Sequence, residues 1–383
     1  MHKIILSVDC VKYPLTGIGR YTVELSRQLE MSDNIDDLRY LRGLNVSHTL
    51  PVPGEQTGYS GYGIKKHLRN STLVSEIYRR TIPIAKSFVI KKYINHIFHS
   101  PNYYLPPGVN NCIATFHDLS IFHWPEFHPR ARVHLMQKEL ISAEKRAKIL
   151  ITDSEYTKKE LVDFFQRPPE SIVVAPLASS NDFMVKSESD IILRLRKYKL
   201  EYKKFILFTG TIEPRKNLIT LLKVYERLTN SEKSNFPLVI SGYKGWGNSE
   251  ILRLFDKGHR EGWLKYLGYV PSEELPYLFS GAKAFVFPSI YEGFGIPVLE
   301  AMASGTPVIC SDSSSLPEVV GNAALIADPM DIDTFTSNLQ IVLNDKYKEE
   351  NLIARGLKQS SEFTWRKCAS KTIEAYDQVL KIT

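Results

Sequence analysis

A chain of 383 residues with 43% hydrophobic and 24% charged content has room for roughly two to three globular domains of ~150 residues, each with a core of normal size. Its 49 basic and 42 acidic residues leave a formal net charge of +7, a mild bias for nucleic acid but relevant to an anionic membrane surface or a phosphorylated substrate. The four cysteines, Cys10, Cys112, Cys310 and Cys368, lack metal-binding spacing and lie in apolar contexts, so they read as reduced, buried thiols of a cytosolic protein.

Met1 to Cys10 shows no signal peptide, and no apolar run approaches the ~20 residues of a membrane span. Lys3 to Val8 is a β-branched run and reads as the first strand. Gly17 and Gly19 follow, then a helical pattern of Tyr21, Leu25 and Leu29. The loop lacks the third glycine of a dinucleotide fingerprint. It is either a tight strand-to-helix turn or a place where a ligand approaches the backbone, with Arg20 near an anion. Residues 43–65 are rich in Gly, Pro, Ser and Thr and read as a loop. Residues 65–92 hold Lys65, Lys66, Arg69, Arg79, Arg80, Lys86, Lys91 and Lys92 against Glu76 alone, with apolar residues interleaved. That segment is either a solvated helical face or a patch for an anionic membrane or acceptor. No nucleic-acid motif accompanies it.

Ile94 to His99 and Asn111 to Phe116 read as strands that end in polar residues. Ligands of open parallel sheets bind outside the carboxyl ends of strands, which makes His117 and Asp118 site candidates by position. His123, His128 and His134 have no ligand-like pairing and read as surface or packing residues. A helix over 130–146, a strand at Lys148 to Thr152, a capped helix start at Ser154 and Thr157, and a strand at Ile172 to Ala175 continue the alternation. A β-α repeat of this kind implies a parallel sheet covered by helices. Polar residues 179–203 mark a domain boundary.

Phe205 to Thr209 opens a second β-α series and runs into Gly210 and a helix. Arg215 and Lys216 sit at that helix's start, where the dipole is positive and disfavours cations. An anion such as a diphosphate would offset the cost, with Arg binding it bidentately and Lys as a point charge. Further strands are expected at Leu238 to Gly242, Leu264 to Val270, Ala284 to Phe287, Thr306 to Cys310 and Ala324 to Ile326. Between the third and fourth of these lies Pro288 to Gly305, which reads as glycine loop and helix N-terminus. Free amides and the helix dipole make such a place an anion site. Glu292 lies in its loop and Glu300 just inside its helix. Asp331-Ile332-Asp333 has the look of a metal motif, but its place at a helix start makes it an N-cap, and no metal is assigned. Residues 364–380 are helical.

Three stretches together resemble family 4 retaining glycosyltransferases: Thr16-Gly17-Ile18-Gly19-Arg20, Gly210 to Asn217, and Glu292-Gly293-Phe294-Gly295-Ile296-Pro297-Val298-Leu299-Glu300-Ala301. The resemblance covers nearly the whole chain. It implies the α/β GT-B architecture, two Rossmann-like domains facing a cleft. The N-terminal, acceptor-binding domain would span residues 1–183 and the C-terminal, donor-binding domain residues 184–365. A helix over 366–383 would pack back on the first domain. Carried onto this chain, Arg215 and Lys216 would bind the donor diphosphate, Glu300 the ribose and Glu292 the donor sugar. The amides of Phe294, Gly295 and Ile296, after Gly293, would contact sugar and phosphate. Val270 would meet the base through its backbone, Gly17 and Gly19 would approach the diphosphate, and His117 would reach the transferred sugar. No cofactor and no metal would be required.

The Thr-Ile-Glu-Pro-Arg-Lys-Asn form resembles bacterial mannosyltransferases of O-antigen and related polysaccharide assembly. That resemblance implies GDP-mannose as donor and a polyprenyl-diphosphate-linked glycan as acceptor, at the cytoplasmic face of the plasma membrane. Peripheral contact with anionic lipid would suit the basic segment. The alternatives are an enzyme of the same fold using another nucleotide hexose, or a GT-B epimerase acting on a UDP-sugar.

Overall fold

The computed structural model describes residues 1–52, 72–243 and 249–382, with the side chains of 72–80, 131, 132 and 249 outside that description. Thirteen strands form two sheets among these residues. The first has seven: β1 (His2–Ser7), β2 (Ile35–Arg42), β3 (Asn45–Ser47), β4 (Ile97–Ser100), β5 (Cys112–Phe116), β6 (Ile149–Thr152) and β7 (Ile172–Val174). The second has six: β8 (Ile206–Thr209), β9 (Leu238–Ser241), β10 (Leu264–Gly268), β11 (Ala284–Phe287), β12 (Val308–Ser311) and β13 (Ala324–Ala327).

Their spatial orders are β3-β2-β1-β4-β5-β6-β7 and β10-β9-β8-β11-β12-β13. Every pairing is parallel except β2 with β3. Each sheet therefore reverses direction once, beside its first strand: between β1 and β4, and between β8 and β11. Those two reversals are topological switch points, where open α/β sheets bind ligands. Helices cover both faces, so the central strands are continuous apolar runs, and every residue of β4, β5, β6, β8, β9, β11 and β12 is buried.

The helix Trp365–Ile382 leaves the second domain and packs on helix Gly17–Glu30, β6 and β7 of the first. Trp365 is 6% exposed, and Tyr376 and Val379 are fully buried. Burial of each such side chain is worth about 1.5–3 kcal/mol before ordering costs. The Tyr376 hydroxyl reaches Nδ1 of His99 at 2.8 Å, whose Nε2 meets Thr115 Oγ1 at 3.0 Å. Burial, with the charge of His117 added, depresses His99 to about 3, so this neutral imidazole is a joint of the core. The four cysteines are free thiols, and all but Cys10 are buried.

Three local readings change. Strand β2, Ile-Asp-Asp-Leu-Arg-Tyr-Leu-Arg, was not anticipated, because its charged residues mask the apolar alternation of a half-exposed strand. Residues 45–47, expected within a loop, form β3, after Gly43 turns the chain at φ 61°. Residues 53–65 of that loop lie outside the described residues, as do Lys66, Arg69 and the side chains of Arg79 and Arg80. Lys86 does not belong to a solvated basic face: it is 6% exposed and paired with Asp9. Lys91 and Lys92 are exposed beside Ile84, Phe88 and Ile94, which are 52%, 65% and 81% exposed.

Candidate active site

The switch point of the second sheet brings β8 and β11 side by side, so the segments that leave their carboxyl ends share one space. After β8 the chain makes a tight turn at Pro214–Lys216, and Asn217 then adopts a left-handed conformation at φ 51°. Helix Leu218–Arg227 starts only after that break. Arg215 and Lys216 are thus not in the helix's first turn, as expected above, and the left-handed residue turns them into the cleft instead. The Asn217 side chain secures the break by donating to the carbonyls of Pro288 (3.0 Å) and Pro329 (2.6 Å).

The anion these cations meet is Glu292. Arg215 Nη1 lies 2.8 Å from its Oε2, and Lys216 Nζ lies 2.6 Å from its Oε1. Arg215 Nε also reaches Glu213 Oε1 at 2.9 Å. Burial alone would push the Glu292 carboxyl up, but the charges of Arg215 and Lys216 overcome that and hold it at about 2. Burial and the neighbouring Arg215 depress Lys216 despite Glu292. Two cations and two carboxylates, desolvated together, balance one another.

The loop after β11 is stapled by a run of serines that sequence reasoning passed over. Ser314 Oγ accepts from the Glu292 amide at 2.9 Å, and Ser315 Oγ lies 2.9 Å from the carbonyls of both Glu292 and Phe294. Ser313 Oγ donates to Ile290 O at 2.8 Å. Three hydroxyl side chains directly after a predicted buried strand were the available signal. Gly295, the N-cap of helix Ile296–Ala303, has φ 106°, and a Cβ there would fall 2.5 Å from Leu316 Cδ2, so both backbone and space demand glycine.

From the first domain, Thr16 caps helix Gly17–Glu30 through its hydroxyl. Arg20, one turn in, crosses the cleft to Glu300 Oε1 at 2.6 Å. Burial still raises the Glu300 carboxyl, and Arg20 only partly offsets it, leaving it at about 7. His117, just past β5, places Nδ1 2.7 Å from Asp153 Oδ2 and Nε2 3.0 Å from the Pro101 carbonyl. Burial would lower the imidazole, but Asp153 raises it, and two acceptors favour the doubly protonated ring. Asp153 is the partner that sequence reading missed; it sits at the end of β6, the same position in the sheet that singled out His117.

The domains touch along this line. A Cβ on Gly293 would lie 1.9 Å from the His117 carbonyl oxygen. The Gly293 carbonyl accepts from Ser154 Oγ at 2.7 Å, so Ser154 both caps its helix and joins the domains. Tyr291 donates to Glu160 Oε2 at 2.5 Å and accepts from the Leu119 amide at 3.0 Å. Glu318 accepts from the Glu155 and Tyr156 amides at 3.0 and 3.3 Å.

These segments enclose a cleft of about 450 Å³. Gly17, His117, Asp118, Arg215, Lys216, Glu292, Gly293, Phe294, Gly295, Ile296 and Glu300 all line it. Gly19 and Val270 do not. Gly19 packs beneath its loop, where a Cβ would come 3.1 Å from the Cys10 carbonyl. Gly268, at φ 67°, ends β10 and turns the chain, so Val270 is buried in the core and Tyr269 faces outward against Tyr243, with ring centroids 5.0 Å apart. Among the described residues, no group of three or more His, Cys, Asp or Glu is placed to hold a metal ion. Asp331 caps its helix by accepting from the Thr334 amide at 3.0 Å.

Comparison with known proteins decides the class of this cleft. The family described as "Glycosyl transferases group 1" matches residues 193–359. The O-antigen chain mannosyltransferase B of Escherichia coli is 41% identical over 98% of this chain and 99% of its own length. The chain belongs to the group 1 glycosyltransferases. A second relative of this glycosyltransferase, the O-antigen chain mannosyltransferase RfbU of Salmonella typhimurium, is 27% identical over 85% of this chain and 86% of its own. The sucrose-phosphate synthase of Thermosynechococcus elongatus, at 18% identity, superposes with a TM-score of 0.73 over 100% of both chains. At that identity the likeness concerns the fold, which is GT-B, with the terminal helix returning to the first domain as expected.

Proposed function

We propose that this glycosyltransferase moves α-mannose from GDP-mannose, with retention, to a polyprenyl-diphosphate-linked glycan at the inner face of the plasma membrane. The observation that carries this reading is the Arg215–Lys216–Glu292 cluster at the second switch point, in a chain similar end to end to an O-antigen mannosyltransferase. The donor diphosphate would replace Glu292 as the partner of the two cations. Glu292, so released, would bind hydroxyls of the sugar. Glu300 would exchange Arg20 for the ribose.

Cleavage of the bond between the sugar's anomeric carbon and the phosphate oxygen leaves the electron pair on the diphosphate. Arg215 and Lys216 would stabilise that charge in a site already arranged to hold an anion, helped by the backbone from Phe294 to Ile296. The acceptor hydroxyl would attack from the same face, and its proton would pass to the leaving phosphate oxygen. His117 lines the other wall of the cleft, with its carbonyl turned to Gly293. Membrane contact would fall to Phe88, near the end of helix Thr72–Ile90, and to Lys91, Lys92 and Ile94 just past it. Among the described residues no helix is long and apolar enough to cross a membrane.

The experiment is a thermal-shift screen of nucleotide sugars followed by transfer to a lipid-linked acceptor, with the anomeric configuration read by NMR. GDP-mannose should raise the melting temperature most, and the new linkage should be α. A larger shift with another nucleotide sugar would overturn the donor, and epimer formation without acceptor would overturn transfer.

A further inference from the structure

Arg215 is clamped by the two residues that precede Glu292. The Ile290 amide donates to the Arg215 carbonyl at 2.8 Å, and the Tyr291 carbonyl accepts from Arg215 Nη1 at 3.1 Å. The backbone at 290 and 291 therefore fixes both the main chain and the guanidinium of the residue proposed to bind the diphosphate. The side chain of the same Tyr291 reaches across to the first domain and is 2% exposed.

The far end of that side chain is held twice. Its hydroxyl donates to Glu160 Oε2 and accepts from the Leu119 amide, so its proton and one lone pair are both engaged. Leu119 is fully buried and follows His117 and Asp118, which line the cleft. Glu160, on helix Glu155–Phe165, has a side chain 12% exposed, with His123 Nε2 3.4 Å from its Oε1. Tyr156 of the same helix stands edge-on to Tyr291, with ring centroids 6.2 Å apart, and also faces Glu160. Without the Tyr291 hydroxyl, a buried amide and a buried carboxylate lose their shared partner, which disfavours closure of the domains by roughly tenfold or more.

We propose that Tyr291 is a positioning residue of glycosyl transfer: its hydroxyl, held by Glu160 and the Leu119 amide, sets the backbone that aims Arg215, so that this cation is in place for the leaving group only when the two domains are closed. This positioning role rests on the diphosphate-binding role given above to Arg215. Glu160 makes the tie sensitive to pH. Burial raises its carboxyl to about 7 against the hydrogen bonds of Tyr291 and Tyr156, and the Asp118 carboxylate adds to the rise. Parting the domains returns Glu160 to water and towards its ordinary 4.5. Closure therefore takes up a proton between those values. The contribution of Glu160 to closure is full below pH 4.5 and is lost as pH rises through 7.

The test uses the full chain, Tyr291→Phe and Glu160→Gln. It measures kcat for transfer from GDP-mannose, the dissociation constant of GDP by calorimetry, and closure by small-angle scattering with saturating GDP across neutral pH. Tyr291→Phe keeps the ring and removes only the hydroxyl. It should lower kcat at least tenfold and leave GDP affinity within about threefold. It should also move the pH at which the closed form is lost upward, because the phenol no longer lowers the carboxyl. The Glu300–Arg20 pair crosses the cleft too and its carboxyl stands at about 7, so Glu160→Gln should remove roughly half of the dependence of closure on pH. A kcat within about twofold of the wild type in Tyr291→Phe would overturn the proposal. A lower kcat with an unmoved pH profile of closure would overturn it as well, because the hydroxyl would then act through packing alone. Where Tyr291→Phe does not fold, Glu160→Gln decides, and an unchanged pH dependence overturns the proposal. A protein that transfers no mannose yet shows the expected shifts in closure would sink the donor assignment and keep the role of Tyr291.

Discussion

Replacing Glu300 by glutamine separates the cost of a buried carboxylate from the shape of the cleft. Glu300 is 5% exposed, and its carboxyl stands at about 7 against an ordinary 4.5, because burial outweighs the single cation of Arg20. Between pH 4.5 and pH 7 the folded protein therefore keeps a proton that the unfolded chain has released. Stability falls as pH rises through that window. A displacement of this size is worth roughly 3 kcal/mol at about 1.4 kcal/mol per pH unit. Glutamine never ionises, so the variant escapes the penalty. The attraction of Arg20 is already contained in the value of about 7, so it enters no second time when two pH values are compared. Melting temperatures of both proteins, measured from pH 5 to pH 8, should diverge by several degrees in total in the variant's favour up to about pH 7 and then run parallel. A difference constant to about one degree would refute the reasoning, because it would place the Glu300 carboxyl near its ordinary value.

Arg215→Ala should lower kcat by about 10²- to 10³-fold, the usual effect of removing one preorganised charge stabiliser, measured with saturating donor. The same change frees Glu292 to rise from about 2, so the residual activity should gain an acid limb at higher pH than in the wild type. Gly293→Ala would put a methyl carbon 1.9 Å from the His117 carbonyl, so the domains must part. It should leave the circular dichroism unchanged, enlarge the radius of gyration in small-angle scattering, and reduce activity to about 1% or less. Lys91→Gln with Lys92→Gln should weaken binding to phosphatidylglycerol vesicles by roughly tenfold or more at low salt, with the difference fading at high salt.

The two-sheet architecture could be read from the sequence because most of its strands are apolar runs followed by helical patterns, and the first strand of each domain runs into a glycine loop before its helix. The half of the cleft formed by the second domain was legible for the same reason, since its residues stand in the loops that follow β8 and β11. Contacts between distant segments were not legible. Nothing in the local pattern of Glu292 says that Arg215 and Lys216 will neutralise it, or that Arg20 will cross from the other domain to Glu300. Serines 313–315 read as an ordinary loop because hydroxyls that staple a backbone look the same, in sequence, as hydroxyls that face water. Lys86 misled for the opposite reason: a charge run suggests solvent, whereas its partner Asp9 lies far away in the chain.

The returning helix has a consequence for how the protein is made. The face of the first sheet formed by β6 and β7, with the buried His99 beside it, is covered by Trp365–Ile382. Those residues leave the ribosome only after the whole second domain has been synthesised. The domain translated first therefore cannot finish its core first. It must wait, with an apolar face uncovered, while its neighbour is built and folds. The order of synthesis thus makes the second domain the first complete unit, and the docking of one helix completes the first domain and fixes the two together in a single late step.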